Sequence, residues 1–154
     1  MRGKLQNNEM TQLTQEGSAT DRPPVVGSTP AAATVLVVED EIVVSFFIRM
    51  LFEERGLQVA VASTAAEALQ LIESLGSTLG AAIIDIGLPD GSGDRLVAPI
   101  RAVLPELPIV IATGFSQSEY DRRFQHDARV RVIGKPFDAP QLWSVLGTLD
   151  DQFA

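Results

Sequence analysis

The chain has 154 residues, a formal net charge of −8 and no cysteine. This length fits one domain with a sizeable core, and an apolar fraction of 45% with 21% charged residues is typical of a soluble globular protein. The lack of cysteine excludes disulfides, thiol catalysis and cysteine-based zinc sites. A single histidine, His126, argues against a histidine-rich metal site or a Ser-His-Asp triad.

The negative charge argues against nucleic-acid binding as a primary role, because that role needs a basic surface. No apolar run approaches the roughly 18 residues that a membrane span requires. The polar start of the chain lacks the apolar stretch of a signal peptide. We therefore expect a cytoplasmic protein that binds neither nucleic acid nor membrane.

Composition divides the chain into a tail and a domain. Residues 1–33 are rich in small and polar residues and contain no aromatic residue. Such a segment cannot bury enough apolar surface to offset the entropy of ordering, so we expect a disordered tail. The domain is expected over residues 34–150, and residues 151–154 form the C-terminal end.

From Thr34 onward, short apolar runs rich in valine and isoleucine alternate with longer amphipathic stretches. The pattern predicts strands at 34–38, 58–62, 81–85, 108–112 and 130–133, and helices at 41–55, 64–75, 93–103, 117–125 and 139–149. Five strands that alternate with five helices indicate an α/β fold with a doubly wound parallel sheet. Pro99 falls inside the third predicted helix, so we expect a kink there or a later helix start.

Charged and hydroxyl side chains stand at the ends of four predicted strands. Glu39 and Asp40 follow the first, Asp85 ends the third, Thr113 follows the fourth and Lys135 follows the fifth. The carboxyl ends of parallel strands meet at one edge of a sheet, where such folds form their sites. Mg²⁺ prefers carboxylate ligands, and a carboxylate accepts a phosphoryl group when the developing charge is neutralised. This pattern indicates a phosphoryl acceptor assisted by Mg²⁺, with Asp40 and Asp85 as direct ligands and Glu39 acting through a water.

Four motifs extend that interpretation: Val-Val-Glu-Asp-Glu at 37–41, Ile-Asp-Ile-Gly-Leu-Pro-Asp-Gly at 84–91, Ala-Thr-Gly at 112–114 and Lys-Pro-Phe at 135–137. In this order and spacing, the chain resembles a response-regulator receiver domain of two-component signalling. The resemblance implies a flavodoxin-like (βα)5 fold and assigns these roles: Asp85 as phosphoacceptor; Glu39, Asp40, Asp85 and the Gly87 carbonyl at the Mg²⁺ site; Thr113 as the hydroxyl switch; Lys135 as the phosphate partner.

The chain departs from the usual family pattern at Val132, where receivers carry the aromatic ring that follows the switch threonine. The segment Ala112-Thr113-Gly114-Phe115 is similar to a motif of an atypical receiver subgroup, found in alphaproteobacterial signalling and the general stress response, that lacks this ring. Phe115 is then either the mobile ring of the switch or a loop aromatic packed permanently on the fourth helix. That helix has few apolar positions and is expected to be short or mobile.

The first helix carries more apolar residues than one core face needs. Ile42, Phe46 and Met50, spaced at i, i+4 and i+8, lie opposite the predicted core face. Receivers as a family present this helix to a histidine kinase or a histidine phosphotransfer protein. The stripe is therefore a candidate partner contact or dimer face of a monomer or weak dimer. The alternatives are shielding by the tail or a shifted helix.

A second candidate surface is a basic stretch around the fifth strand, which is either a patch for an acidic partner or a solvated face. Its members are Arg122, Arg123, His126, Arg129 and Arg131.

Three functions remain open from the sequence. The favoured one is a stand-alone receiver that takes a phosphoryl group on Asp85, switches binding of a downstream protein and dephosphorylates itself slowly, without being a classical enzyme. The second is a pseudo-receiver, a scaffold that binds partners without phosphorylation, which Val132 keeps open. The third is an aspartyl-phosphate phosphatase. Gly87 argues against it, because such enzymes usually carry an acid/base carboxylate at that position.

Overall fold

The computed structural model describes residues 32–154. The predicted tail therefore lies outside the described residues, apart from Ala32 and Ala33. Within the described part, no helix is long and apolar enough to cross a membrane.

A five-stranded parallel sheet forms the centre of the fold, in the order β2-β1-β3-β6-β7. Its strands are β1 (Thr34–Val38), β2 (Gln58–Ala62), β3 (Leu79–Asp85), β6 (Ile109–Thr113) and β7 (Val130–Gly134). The first two match the predicted bounds, whereas β3 starts two residues earlier than predicted. An antiparallel pair that the sequence did not predict, β4 (Gly87–Leu88) and β5 (Gly91–Ser92), follows β3 directly.

Five helices cover the two faces of the sheet, which confirms the predicted doubly wound, flavodoxin-like fold. They are α1 (Ile42–Glu53), α2 (Ala65–Leu75), α3 (Val97–Val103), α4 (Gln117–Phe124) and α5 (Ala139–Gly147). The core on one face packs α2, α3 and α4 against the sheet, and the core on the other packs α1 and α5. Strands β1 and β6 are buried along their whole length, as their unbroken apolar runs predicted.

Local capping explains where two of the helices start. Thr64 accepts a hydrogen bond from the Glu67 backbone N–H at the start of α2. Asp138 and Gln141 form a reciprocal capping box at the start of α5, and Pro140 stands within its first turn. Both caps lie at the carboxyl-end edge of the sheet, so they fix the loops that surround the strand ends.

The third helix starts four residues later than the predicted bound, as Pro99 had suggested. Residues Gly93–Leu96 form a 3-10 turn, and α3 begins at Val97. Pro99 is thus the third residue of the helix, where a backbone N–H would have no partner within the helix. The proline therefore sets the start of α3 and does not interrupt it.

The packed unit continues past α5 to the end of the chain. Phe153, in a short 3-10 turn at Asp151–Phe153, is buried and meets the Phe52 ring edge-on. Arg55 stacks over the ring of Trp143 at 3.6 Å and donates a hydrogen bond to the Phe153 carbonyl. The last residues thus belong to the core between α1 and α5.

An ion pair joins α3 to the loop before β7. Arg101 Nε donates to Asp127 Oδ2 at 2.7 Å and Nη2 donates to Oδ1 at 3.2 Å, with both side chains largely buried. Partial burial raises the pKa of Asp127, but the Arg101 hydrogen bonds and the Arg129 amide outweigh it, so the pKa lies below its usual value. A lowered folded-state pKa adds stability above the unfolded pKa, and this stability is lost as the pH falls.

We expect Asp127→Asn to lower the free energy of unfolding by about 1–2 kcal/mol at neutral pH, because it removes charge-assisted hydrogen bonds. The deficit should shrink as the pH falls below the unfolded value of about 3.8. Urea unfolding of wild type and variant across this range measures it, with Asp121→Asn, an exposed aspartate, as the control. A deficit that does not change with pH would contradict this account of the pair.

Candidate functional site

Register brings the predicted site residues together at one edge of the sheet. Val38, which ends β1, pairs with Ile84, next to Asp85 at the end of β3. On the other side, Asp85 pairs with Ala112 in β6. Thr113 pairs with Gly134, which precedes Lys135. Because all these strands run parallel, Glu39, Asp40, Asp85, Thr113 and Lys135 meet at the same edge.

Three carboxylates form a cluster at that edge. Glu39, Asp40 and Asp85 each offer an oxygen within 4.8 Å of those of the other two. Glu39 and Asp85 are buried, whereas Asp40 is exposed. Negative charges this close repel one another in a poorly hydrated site, so the cluster requires cations nearby.

Lys135 supplies one of these cations. Its Nζ lies 2.8 Å from Glu39 Oε2 and 3.3 Å from Asp85 Oδ1, so one ammonium group bridges both buried carboxylates. The exposed carboxylate of Glu41 lies 4.0 Å from the same nitrogen. A hydrogen bond to a charged group contributes about 1.5–3 kcal/mol when shielded, against about 0–1 kcal/mol for an exposed ion pair. Lys135 therefore holds the two buried carboxylates in place.

The pKa values of this pair reflect burial and mutual attraction. Burial raises the pKa of Glu39 above its usual value, an effect that the hydrogen bonds from Lys135 and the Glu41 amide only partly offset. Burial alone would lower the pKa of Lys135, but the Glu39 and Asp85 carboxylates outweigh it and the pKa is raised. The lysine therefore stays charged at neutral pH.

The oxygens of the cluster suit Mg²⁺, which favours hard oxygen ligands from one or two carboxylates. Both oxygens of Glu39 already have partners, because Oε2 accepts from Lys135 and Oε1 from the Glu41 backbone N–H. Asp40 and Asp85 are thus better placed to bind a metal directly. Gly87 follows Asp85 by two residues, and a Cβ there would lie 3.7 Å from Asp85 Oδ2, an ordinary van der Waals distance.

The position of Asp85 depends on Gly93, which the sequence analysis did not single out. A Cβ on Gly93 would lie 1.9 Å from the Asp85 carbonyl oxygen, so no larger residue fits without moving the backbone. The Gly93 N–H also donates to the Ile86 carbonyl at 2.9 Å. The Gly-Ser-Gly run at 91–93 was the available signal, but the sequence cannot show which of its glycines touches the strand.

Thr113 is fully buried beside this cluster. Its hydroxyl accepts a hydrogen bond from the Phe115 backbone N–H at 3.0 Å, and its carbonyl accepts from the Lys135 N–H at 2.7 Å. The Phe115 side chain is 79% exposed, so its ring is not packed on α4 as one alternative required. Val132 is buried in the core, and its carbonyl accepts from Gln117 at the start of α4.

Helix α4 lies against the edge strand β7 and buries little of its own surface. None of its residues is fully buried, although Tyr120 and Phe124 pack against the core in part. Arg123 on α4 forms an ion pair with Asp94, which is buried and also accepts from Ser92. The sequence did not predict this ion pair between α4 and the turn after β5, because its two residues are 29 positions apart.

The stripe predicted on α1 is exposed. Ile42, Phe46 and Met50 all reach the surface, and so does Val43, which the sequence analysis left unassigned. Beside them lies a groove of about 420 Å³ lined mainly by apolar side chains, with Glu41 and Lys135 at its charged end. The groove and the stripe together give α1 an apolar surface next to the acidic cluster.

The basic stretch does not form a free patch. Arg123 pairs with Asp94, and Arg129 donates to the carbonyls of Glu106 and Leu149. Arg131 donates to the carbonyls of Ala128 and Val130. His126 is exposed and lies outside the acidic cluster. Most of these charges thus serve the structure of the chain itself.

Comparison with known proteins agrees with this geometry. The family model described as "Response regulator receiver domain" matches residues 35–146. The chain is 31% identical over 111 residues to the sensor kinase CckA of Brucella abortus (strain 2308), covering 72% of this chain and 12% of that protein. The chain spans from 12% to 60% of the length of four curated relatives that it matches.

Solved structures show the same fold. A CheY-like response regulator receiver domain protein from Methanospirillum hungatei JF-1 is 27% identical, with a TM-score of 0.68 and coverage of 79% of this chain and 96% of that one. A response regulator from Burkholderia pseudomallei, solved with a phosphorylated aspartic acid, a calcium ion and citrate, is 25% identical, with a TM-score of 0.67 and coverage of 79% and 68%. This chain belongs to the response regulator receiver domain family.

Proposed function

We propose that the chain is a receiver that accepts a phosphoryl group on Asp85 from a phosphohistidine of a kinase or phosphotransfer protein. The single observation that carries the proposal is the placement of Lys135 Nζ 3.3 Å from Asp85 Oδ1 within the cluster of three carboxylates. Family membership supports the same role. The absence of cysteine from the sequence is consistent with a cytoplasmic protein.

The chemistry follows from the residues at the strand ends. An oxygen of Asp85 attacks phosphorus, the bond between phosphorus and the imidazole nitrogen breaks, and the imidazole keeps the electron pair and takes up a proton. Lys135 lies where it neutralises charge on the phosphoryl oxygens. Mg²⁺, held by Asp40, Asp85 and the Gly87 carbonyl with Glu39 acting through a water, would supply further positive charge to those oxygens.

Slow loss of the phosphoryl group to water fits the same site. A phosphatase that works through an aspartyl-phosphate usually needs an acid/base carboxylate two residues after the nucleophile, and Gly87 stands there. Without that group, water is not strongly activated, so we expect the chain to dephosphorylate itself slowly. Asp85 therefore serves as an acceptor in a switch.

Intact-mass spectrometry after incubation with acetyl phosphate and Mg²⁺ tests this proposal. We expect one added phosphoryl group in the wild type, and none in Asp85→Asn or in wild type treated with EDTA. Asp94→Asn is the matched control, because Asp94 is equally buried but lies outside the carboxylate cluster, and it should still be phosphorylated.

An adduct on Asp85→Asn would contradict the assignment of Asp85. The absence of any adduct, also with a phosphorylated phosphotransfer protein as donor, would favour the alternative of a scaffold that binds partners without phosphorylation. This alternative stays open because Val132 occupies the position at which receivers usually carry the aromatic residue of the switch.

We also propose that Thr113 and Phe115 carry the switch. The Thr113 hydroxyl now accepts from the Phe115 N–H, so a turn of the hydroxyl toward a phosphoryl group on Asp85 would break this bond. The break would release the loop that starts α4, a helix with few buried contacts. The exposed Phe115 ring is free to move with that loop.

Hydrogen exchange measures this switch. Phosphorylation should change the exchange of the amides of residues 115–124 in the wild type, and the change should be smaller in Phe115→Ala because the moving ring is removed. Val103→Ala, which truncates an exposed apolar residue on α3, serves as the control. The same phosphorylation-dependent change in Phe115→Ala as in the wild type would remove Phe115 from the switch.

We propose further that Ile42, Phe46 and Met50 contact the phosphodonor protein, because this exposed apolar stripe adjoins the groove that ends at Lys135. A protein that covers the stripe would bring its phosphohistidine next to Asp85.

Phe46→Glu should slow transfer from a phosphotransfer protein that phosphorylates the wild type by about tenfold, since burying a charge against apolar residues is costly. Phosphorylation by acetyl phosphate should be unaffected. Val103→Glu is the matched control, because Val103 is 60% exposed against 61% for Phe46. Equal transfer rates in Phe46→Glu and Val103→Glu would contradict the docking proposal.

A further inference from the structure

We propose that Glu41 sets which phosphodonors the site accepts, by disfavouring small and highly charged donors relative to a protein-borne phosphohistidine. The inference rests on the proposed function, because it concerns phosphorylation of Asp85. It assigns Glu41 a role in specificity that is separate from holding a metal ion or accepting the phosphoryl group.

Glu41 stands at the entrance to the site. Its side chain is 68% exposed, and its Oε1 lies 4.0 Å from Lys135 Nζ, the group that faces Asp85. Glu41 and Lys135 are the charged residues among those that line the apolar groove beside α1. A donor that approaches Asp85 along this groove passes the Glu41 carboxylate.

Among the described residues, the Glu41 side chain makes no hydrogen bond. It occupies the N-cap position of α1 but makes no side-chain capping hydrogen bond. The contact with Glu39 Oε1 comes from its backbone N–H, which any residue except proline would supply. The side chain therefore contributes mainly its negative charge.

That charge makes the difference between a neutral and a negative site when the metal is bound. With its carboxylates ionised, the cluster of Glu39, Asp40 and Asp85 together with Glu41 carries four negative charges against the one positive charge of Lys135, a net charge of −3. A bound Mg²⁺ leaves a net charge of −1. Without the charge of Glu41 the metal-bound site would be neutral, so Glu41 keeps it repulsive to an approaching anion.

A protein donor has a compensating contact that a small donor lacks. The groove offers Val43, Val44, Phe47 and Phe137 to a partner surface, and burial of these side chains offsets the repulsion. Acetyl phosphate buries little apolar surface and meets the repulsion alone. Glu41 thus slows the small donor more than the protein donor.

The test compares phosphorylation rates of wild type, Glu41→Gln and Glu54→Gln by intact-mass spectrometry at saturating Mg²⁺. Glu54 is an exposed glutamate at the other end of α1. It lies about 20 Å away, well beyond the Debye length of about 8 Å at physiological salt. The donors are acetyl phosphate and phosphoramidate, which carries less negative charge at neutral pH. Each is used at low salt and at about 1 M salt, where the Debye length is about 3 Å.

We expect Glu41→Gln to react with acetyl phosphate about threefold to tenfold faster than wild type at low salt. The gain should be smaller with phosphoramidate and should vanish at high salt, and Glu54→Gln should match the wild type. A phosphorylation rate of Glu41→Gln that equals that of the wild type would overturn the role of Glu41 and leave the proposed function intact. An increase in rate that depends on neither salt nor donor charge would do the same. If neither small donor phosphorylates any of the three proteins, the role of Glu41 is overturned, because removal of its charge then gives no gain. The proposed function fails as well only if a phosphorylated phosphotransfer protein also leaves the wild type without a phosphoryl group.

Discussion

One ammonium group shared by two buried carboxylates is the interaction on which the site depends. Glu39 and Asp85 come from different strands, and without Lys135 between them the described residues would place two buried negative charges side by side. The arrangement places Asp85 close to a cation and at the end of a buried strand. These are the properties that a carboxylate needs as a phosphoryl acceptor.

The segments around the site are fixed to the same strand ends. The Lys135 backbone N–H donates to the Thr113 carbonyl, and the Thr113 hydroxyl accepts from Phe115, so the lysine, the threonine and the loop before α4 are linked. On the other side, Gly93 packs against the Asp85 carbonyl and is followed by Asp94, which pairs with Arg123 on α4. Two chains of contacts therefore join Asp85 to α4, which has no fully buried residue.

Most of the fold could be predicted from the sequence, because its strands are short apolar runs rich in valine and isoleucine and parallel register places their ends together. Those same strand ends placed the charged residues of the site. The β4–β5 pair, the close approach of Gly93 and the Asp94–Arg123 tie were missed, since each depends on distances between segments that no periodic pattern records. The exposure of Val43 was missed as well. Helical spacing identifies the residues at the centre of the core face of α1, but it does not show whether a residue at the border of that face is buried.

We propose that the phosphoryl group resides on Asp85. Borohydride reduction of the phosphorylated protein converts an aspartyl phosphate to homoserine, which tandem mass spectrometry of peptides locates on the chain. We expect homoserine at position 85 and no reduction at the other carboxylates of the cluster. Reduction at Asp40 or Glu39, or a phosphoryl group on a residue outside the cluster, would contradict it.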